Sequence, residues 1–122
     1  MLFRSDPTFG PLVACGSGGV LVDLLADTSF RLHPLTDLDA ADLVGSLRSA
    51  RLLRGYRGQP PADERAVVDT LLRVSALLET CPEVLELDIN PLKVQTRGAL
   101  AVDVRVRVGH VRPGAGSRRV VY

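Results

Sequence analysis

The stretch Val84-Leu85-Glu86-Leu87-Asp88-Ile89-Asn90-Pro91 decides the fold class. Leu85, Leu87 and Ile89 alternate with Glu86, Asp88 and Asn90. Successive side chains of a strand point to opposite faces, so this is a half-buried strand with one apolar and one acidic face. Pro91 ends it, because proline has no N–H to give to a ladder. Ala99 to Val108 alternates as regularly. Leu100, Val102, Val104, Val106 and Val108 fall on one side; Ala101, Asp103, Arg105 and Arg107 fall on the other. Thr96-Arg97-Gly98 lies between them as a hairpin connection, and the two strands are expected to pair antiparallel. Their apolar face is expected to bury against helices, with the polar face turned outward.

Upstream, the signals are strands first and helices after. Phe9 to Cys15 reads as a buried strand behind the Asp6-Pro7 turn signal. Gly16-Ser17-Gly18-Gly19 reads as a glycine turn, Val20 to Leu25 as a second strand, and Thr28 to Leu32 as a third closed by Pro34. The period then changes. Thr36, with Asp39 three residues on, has the form of a capping box, and Ala40, Leu43, Val44 and Leu47 recur at helical spacing. Arg51 to Gly58 reads as a loop, and Pro60-Pro61 stops any helix from running through it. Ala62 or Asp63 opens a second helix with the stripe Val67, Val68, Leu71, Leu72, Ser75 and Leu78, ended by Cys81-Pro82. Strands, two helices, strands: the expected class is α+β, a mostly antiparallel sheet with two helices packed on one face. Residues 1–109 form the expected domain. The alternation fails beyond Gly109, and residues 110–122, with Pro113, Gly114, Gly116, Arg118 and Arg119, read as a flexible tail.

Composition narrows the partners. A chain of 122 residues is one domain by size, and 46% hydrophobic with 24% charged residues is an ordinary globular balance. The formal net charge of +1 gives no electrostatic reason to expect nucleic acid or an anionic membrane as the main partner. Aromatic residues are 4% with no Trp, which argues against a base-stacking surface. Cys15 and Cys81 have no neighbours at zinc-ligand spacing and make no disulfide framework. The N-terminus lacks the apolar run of a signal peptide, and no stretch approaches the roughly 18 apolar residues of a membrane span. The expected compartment is the cytoplasm.

The chemistry concentrates on the polar face of the hairpin. Glu86, Asp88, Asn90 and Asp103 share it, and carboxylates with an amide oxygen are ligands for a hard cation. Mg²⁺ takes one or two carboxylates, keeps waters and fills its other positions with phosphate oxygens. Solvation of an exposed strand face explains the same acids without a metal. Asn90-Pro91 weighs against that plainer account, since Asp, Asn and Pro disfavour strands, and sequence that opposes its own structure often marks function.

Glu86-Leu87-Asp88-Ile89-Asn90-Pro91-Leu92, followed by Ala101-Val102-Asp103-Val104-Arg105, resembles the last hairpin of the ATP-grasp domains of ADP-forming, succinyl-CoA-synthetase-like acyl-CoA synthetases. Asp6 to Pro11, Gly16 to Val20, Phe30 to Leu35 and Leu53 to Gly58 before Pro60-Pro61 resemble the same family in the same order, over about residues 6–108. The resemblance implies the C-terminal lobe of a two-lobed ATP-binding unit. The N-terminal ATP-grasp lobe and the CoA-binding and phosphohistidine domains would be its partners, preceding Met1 in a larger polypeptide or absent from a short remnant.

The resemblance also assigns residues. Asn90 and Asp103 match metal ligands, and Asp88 matches an acidic position that reaches the metal directly or through water. The cofactor is Mg²⁺ with ATP or ADP. Gly16, Ser17, Gly18 and Gly19 match a glycine turn whose N–H groups form an anion nest, or which is simply a tight connection. Arg31 matches a family arginine and is either a phosphate contact or an exposed strand arginine. Arg54 and Arg57 are partner or anion contacts, or solvated loop arginines. Asp23 departs from the family's usual Glu, and His33 stands where a small residue is common; it reads as a strand-end residue rather than a nucleophile.

The implied function is support of phosphoryl transfer between nucleotide and an enzyme phosphohistidine in an ADP-forming acetate–CoA ligase. The isolated chain is expected to be inactive. The alternative is a degenerate regulatory lobe of the kind fused to GNAT-type protein lysine acetyltransferases. The acyl group is not legible, and the sheet surface that the other lobe would cover can drive self-association.

Overall fold

The computed structural model describes residues 1–6, 10–16, 28–55 and 58–110, and its centre is a strand that alternation does not reveal. β1 (Leu2–Asp6) pairs antiparallel with β2 (Gly10–Gly16) on one side and with β4 (Val84–Ile89) on the other. Leu2-Phe3-Arg4-Ser5-Asp6 carries two apolar residues in five and reads as a polar start. Pairing on both edges makes it a strand. Phe3, 1% exposed, stands in register between Val13 and Leu87 and is the middle of the core. β3 (Thr28–Leu32) flanks β2 as expected, and β7 (Val104–Val108) flanks β4. The five-stranded order is β3-β2-β1-β4-β7, antiparallel at every junction. The strand expected at Val20 to Leu25, and the tail beyond His110, lie outside the described residues.

Among the described residues three helical segments follow β3, against the two expected. Thr36 caps α1 (Asp37–Gly45): its Oγ1 accepts the Asp39 N–H at 3.1 Å, and Asp39 Oδ2 accepts the Thr36 N–H at 3.0 Å. Two of the orphan N–H groups of a helix start are thus satisfied reciprocally. The Thr36 N–H, then the Thr36 hydroxyl, hold the Asp39 carboxyl below its ordinary range. The loop expected from Arg51 instead stays helical as α2 (Ala50–Leu53), because Ala50 continues the buried side that Leu47 ends. α3 (Glu64–Thr80) begins at Asp63 and ends at Cys81, as the spacing predicts. Ala40, Leu43 and Val44 of α1 and Val67, Leu71, Val74 and Leu78 of α3 close over Phe3, Val13, Leu87 and Ile89. A fully buried Leu contributes about 1.5–3 kcal/mol from transfer alone, so this two-layer contact carries the fold.

The downstream hairpin is interrupted. Ala99 to Val108 is not one strand: β6 (Ala99–Ala101) pairs with β5 (Leu92–Val94) in a separate ribbon, and β7 pairs with β4. The register runs on across the break, with Ile89 opposite Val104 and Leu92 opposite Ala101. Pro91, which cannot donate, sits where the ladder parts; its carbonyl still accepts the Val102 N–H at 3.0 Å. Gly98 (φ 80°) makes the turn, where a positive φ favours glycine. The apolar row of this second run does not bury. Val104, Val106 and Val108 remain 47%, 50% and 66% exposed, because among the described residues β7 is the edge strand of the sheet and no helix covers it; Leu100, in the separate ribbon, is 55% exposed.

Candidate functional site

On β4, Leu87 and Ile89 face the helices and are buried. Asp88 therefore projects from the opposite face, on which no described helix packs, and Glu86 with it. Residues directly opposite in an antiparallel pair share a face. Arg107 stands opposite Glu86 and Arg105 opposite Asp88. One step past the last paired residues, the Asn90 N–H donates to the Asp103 carbonyl at 2.9 Å. The open face thus carries three successive cross-strand rows: Glu86 with Arg107, Asp88 with Arg105, Asn90 with Asp103. Arg107 Nη2 lies 3.2 Å from Glu86 Oε1, and Arg105 Nε lies 3.8 Å from Asp103 Oδ2.

The interrupted ladder sets this geometry. β4 and β7 present Asp88 and Arg105 from regular pleats, while Asn90 and Asp103 sit where the pairing gives way at Pro91. Behind the break, Asp63 ties the ribbon to the helix layer. Its Oδ1 accepts the Ala66 N–H at 3.0 Å, capping α3, and its Oδ2 accepts the Gly98 N–H at 2.7 Å. Its own N–H donates to the Gln95 carbonyl at 2.7 Å. The Gly98 and Ala66 N–H groups hold the Asp63 carboxyl below its ordinary value.

The other sequence-predicted residues divide into two groups. Gly16 ends β2 two residues beyond Ala14, as Asn90 lies two residues beyond Asp88, and Ala14 and Asp88 both pair with Leu2. Gly16 therefore leaves the sheet at the same end as Asn90 and Asp103, two strand spacings away, or roughly 10 Å. A cleft of about 240 Å³ at this end runs between Cys15, Gly16, Ile89 and Asn90 of the sheet and Val44, Leu47 and Val67 of the helices, so it lies on the helix side and is not lined by Asp88 or Asp103. Ser17, Gly18 and Gly19 lie outside the described residues.

Arg31 is not brought to this site. It is in register with buried Val13, which puts it on the helix-covered face, and its Nη1 donates to the Phe30 carbonyl at 2.6 Å. Arg54 is engaged elsewhere, in a two-pronged pair with Glu64 at 3.0 and 2.9 Å. That carboxylate raises the guanidinium above its usual range. Arg57 is outside the described residues. His33 is 1% exposed at the end of β3, between Ser75 Oγ at 3.4 Å from Nδ1 and Glu79 Oε1 at 3.2 Å from Nε2. It is a buried, hydrogen-bonded histidine on the far side of the sheet from Asp88.

The residues at Asp88, Asn90 and Asp103 fit a magnesium–nucleotide in donor type: two carboxylates and an amide, all oxygen ligands. Among the described residues no group of three or more His, Cys, Asp or Glu could by itself hold a metal ion. A cation at this hairpin would therefore need oxygens from a ligand or water, which is how Mg²⁺ binds phosphates. Alternation puts Arg105 and Arg107 on the same face; their pairing opposite Asp88 and Glu86 is visible only once the register is known.

The sequence profile of the ATP-grasp domain matches residues 1–108. The chain belongs to the ATP-grasp family. This ATP-grasp chain is 48% identical over 106 residues to "Acetate--CoA ligase [ADP-forming] I" of Archaeoglobus fulgidus, an alignment that covers 87% of the chain and 16% of that protein. It is 40% identical over 101 residues to "Acetate--CoA ligase [ADP-forming] I subunit beta" of Pyrococcus furiosus, covering 83% of the chain and 44% of the subunit. It superimposes with a TM-score of 0.81 and 37% identity on dinucleotide forming acetyl-coenzyme A synthetase 1 of Candidatus Korarchaeum cryptofilum, in complex with coenzyme A and Mg-AMPPCP. That superposition covers 88% of the chain and 51% of the solved chain. The ATP-grasp chain thus spans less than half the length of these curated relatives. No helix among its described residues is long and apolar enough to cross a membrane.

Proposed function

We propose that this chain is the C-terminal, nucleotide- and Mg²⁺-binding lobe of the ATP-grasp domain of an ADP-forming acetate–CoA ligase. One observation supports the reading: the register puts Asp88 opposite Arg105 and Asn90 opposite Asp103, at the end of the sheet where Gly16 closes β2. Asp88 and Asp103 would offer carboxylate oxygens and Asn90 its side-chain oxygen. The N–H groups of Gly16 to Gly19 would face the phosphates. When bound, Mg²⁺ supplies charge neutralisation on the transferring phosphoryl group. The chain's own part is to hold these oxygens on a hairpin anchored to α3 through Asp63, so the metal–phosphate unit is met by a preformed surface.

The phosphoryl group would pass between nucleotide and a phosphohistidine on another domain. The N-terminal ATP-grasp lobe and a CoA-binding domain complete the proposed enzyme, in line with relatives more than twice the length of the matched region. The isolated chain is expected to produce no ADP from ATP. Arg31 belongs to the scaffold in this reading, and no observation favours the acetyltransferase-linked alternative.

An amide-resolved NMR titration with Mn²⁺, with and without ADP, tests the site. The expected result is signal broadening centred on Asp88, Asn90 and Asp103, strengthened by ADP and abolished in Asp103→Ala. A folded spectrum without localised broadening would overturn the assignment of the metal to this face.

A further inference from the structure

Arg105 stands between the two acids of the site. It is directly opposite Asp88 across the β4–β7 ladder, and its Nε is 3.8 Å from Asp103 Oδ2. Cβ atoms of directly opposed residues lie about 4.5–5.5 Å apart, within easy reach of a guanidinium. Residues two apart on a strand share a face, so Asp103 and Arg105 point the same way. Arg107, one row further along, is committed to Glu86 at 3.2 Å, outside the proposed ligand set. The acids flanking Arg105 are the proposed metal ligands themselves.

The hold on Arg105 is loose. Its side chain is 80% exposed, and 3.8 Å is a long contact for a guanidinium and a carboxylate. An exposed pair of this kind is easily given up, and the five N–H donors of a guanidinium form a planar fork that matches phosphate oxygens.

We propose that Arg105, paired with Asp103 and opposite Asp88, is the resident cation of the metal-free site, competing with Mg²⁺ for Asp103, and that it turns to the nucleotide phosphates when metal and nucleotide bind together. Without nucleotide, the metal must displace a positive charge that already sits beside the Asp103 carboxylate. With nucleotide, the displaced guanidinium finds a new anion, and the competition becomes cooperation. Arg105 thereby makes metal binding depend on nucleotide. This inference rests on the metal reading above and predicts effects of opposite sign on two affinities, which loss of folding or a uniform weakening cannot produce.

The test is the Mn²⁺ titration of the full chain, with and without ADP, on the wild type, Arg105→Ala, Arg105→Lys and Arg107→Ala. In Arg105→Ala, Mn²⁺ alone is expected to bind about two- to fivefold more tightly, the range a surface ion pair supplies. The strengthening by ADP is expected to shrink about tenfold, the scale of one charged hydrogen bond. Arg105→Lys, which keeps the charge without the fork, is expected to recover most of the Mn²⁺ competition and part of the ADP effect. Arg107→Ala removes the same charge from the same face and is expected to leave the ADP effect as in the wild type. Equal effects in Arg105→Ala and Arg107→Ala would reduce the result to net charge and overturn the proposal. So would an Arg105→Ala chain in which both affinities fall together or neither moves, with wild-type metal binding intact. Absence of localised Mn²⁺ broadening in all four chains would overturn the metal reading, and the role of Arg105 with it.

Discussion

β1 and β7 belong to the same sheet, and their side chains are treated in opposite ways. Phe3, with little alternation around it, is 1% exposed; Val106, in the most regular alternation of the chain, is 50% exposed. β1 has a strand on each side and helices above it. Among the described residues β7 has one neighbour and no helix cover, and it contributes nothing to the buried core. Alternation reports which way a side chain points. Whether anything lies in that direction depends on elements far away in the chain.

The sharpest contrast should come from truncation. Leu71→Ala, in the fully buried layer of α3, is expected to cost about 2–5 kcal/mol in urea unfolding, from lost transfer energy plus the cavity. Val106→Ala on β7 should cost well under half of that. Equal losses would mean that the β7 row is covered in solution, most simply by a second copy.

A smaller effect tests the helix layer at its edge. Thr36→Ala removes half of the α1 capping box and should destabilise by about 1 kcal/mol in the same assay. A loss near zero would mean that packing of Leu43 and Val44 alone sets the start of α1.

The two capping carboxylates predict the acid side of the stability profile. Asp39 and Asp63 are both held below their ordinary value of 3.8 by N–H donors. Folding therefore gains from their ionised forms. The gain is complete well above pH 4 and is lost as pH falls through the depressed folded values. In Asp39→Asn and Asp63→Asn, the fall of stability between pH 5 and pH 2 should be shallower than in the wild type. An unchanged slope would show that these carboxylates are equally stabilised in the unfolded chain.

The smallest stability effect belongs to the open face. Asp103→Ala, at a 56% exposed side chain, should change unfolding free energy by no more than about 0.5 kcal/mol while removing the Mn²⁺ broadening. A large stability loss would place Asp103 in the scaffold and not in a site.

Most of the helix layer was legible. The Thr36–Asp39 box, the α1 and α3 stripes and the stops at Pro60-Pro61 and Cys81-Pro82 are local signals, settled within one or two turns of chain. The direction of Asp88 against Leu87 and Ile89 was equally legible. The central place of Leu2–Asp6 was not, since that strand is stabilised by partners about ten and about eighty-five residues away. The parting of the hairpin at Pro91 could have been suspected, because proline cannot continue a ladder. The site's second pair of charges, Arg105 and Arg107, needed the register.

Period, caps and breakers in these 122 residues are enough to specify an α+β chain with an acidic strand face and a glycine-rich segment. They act between neighbours, where a few rotations and one hydrogen bond decide the outcome. That Gly16 and Asn90 leave the sheet at the same end, that Arg31 faces the helices, and that Arg105 stands between two acids follow from strand order and register. These depend on contacts between distant segments, and the entropy of bringing such segments together is repaid only when the whole layer closes.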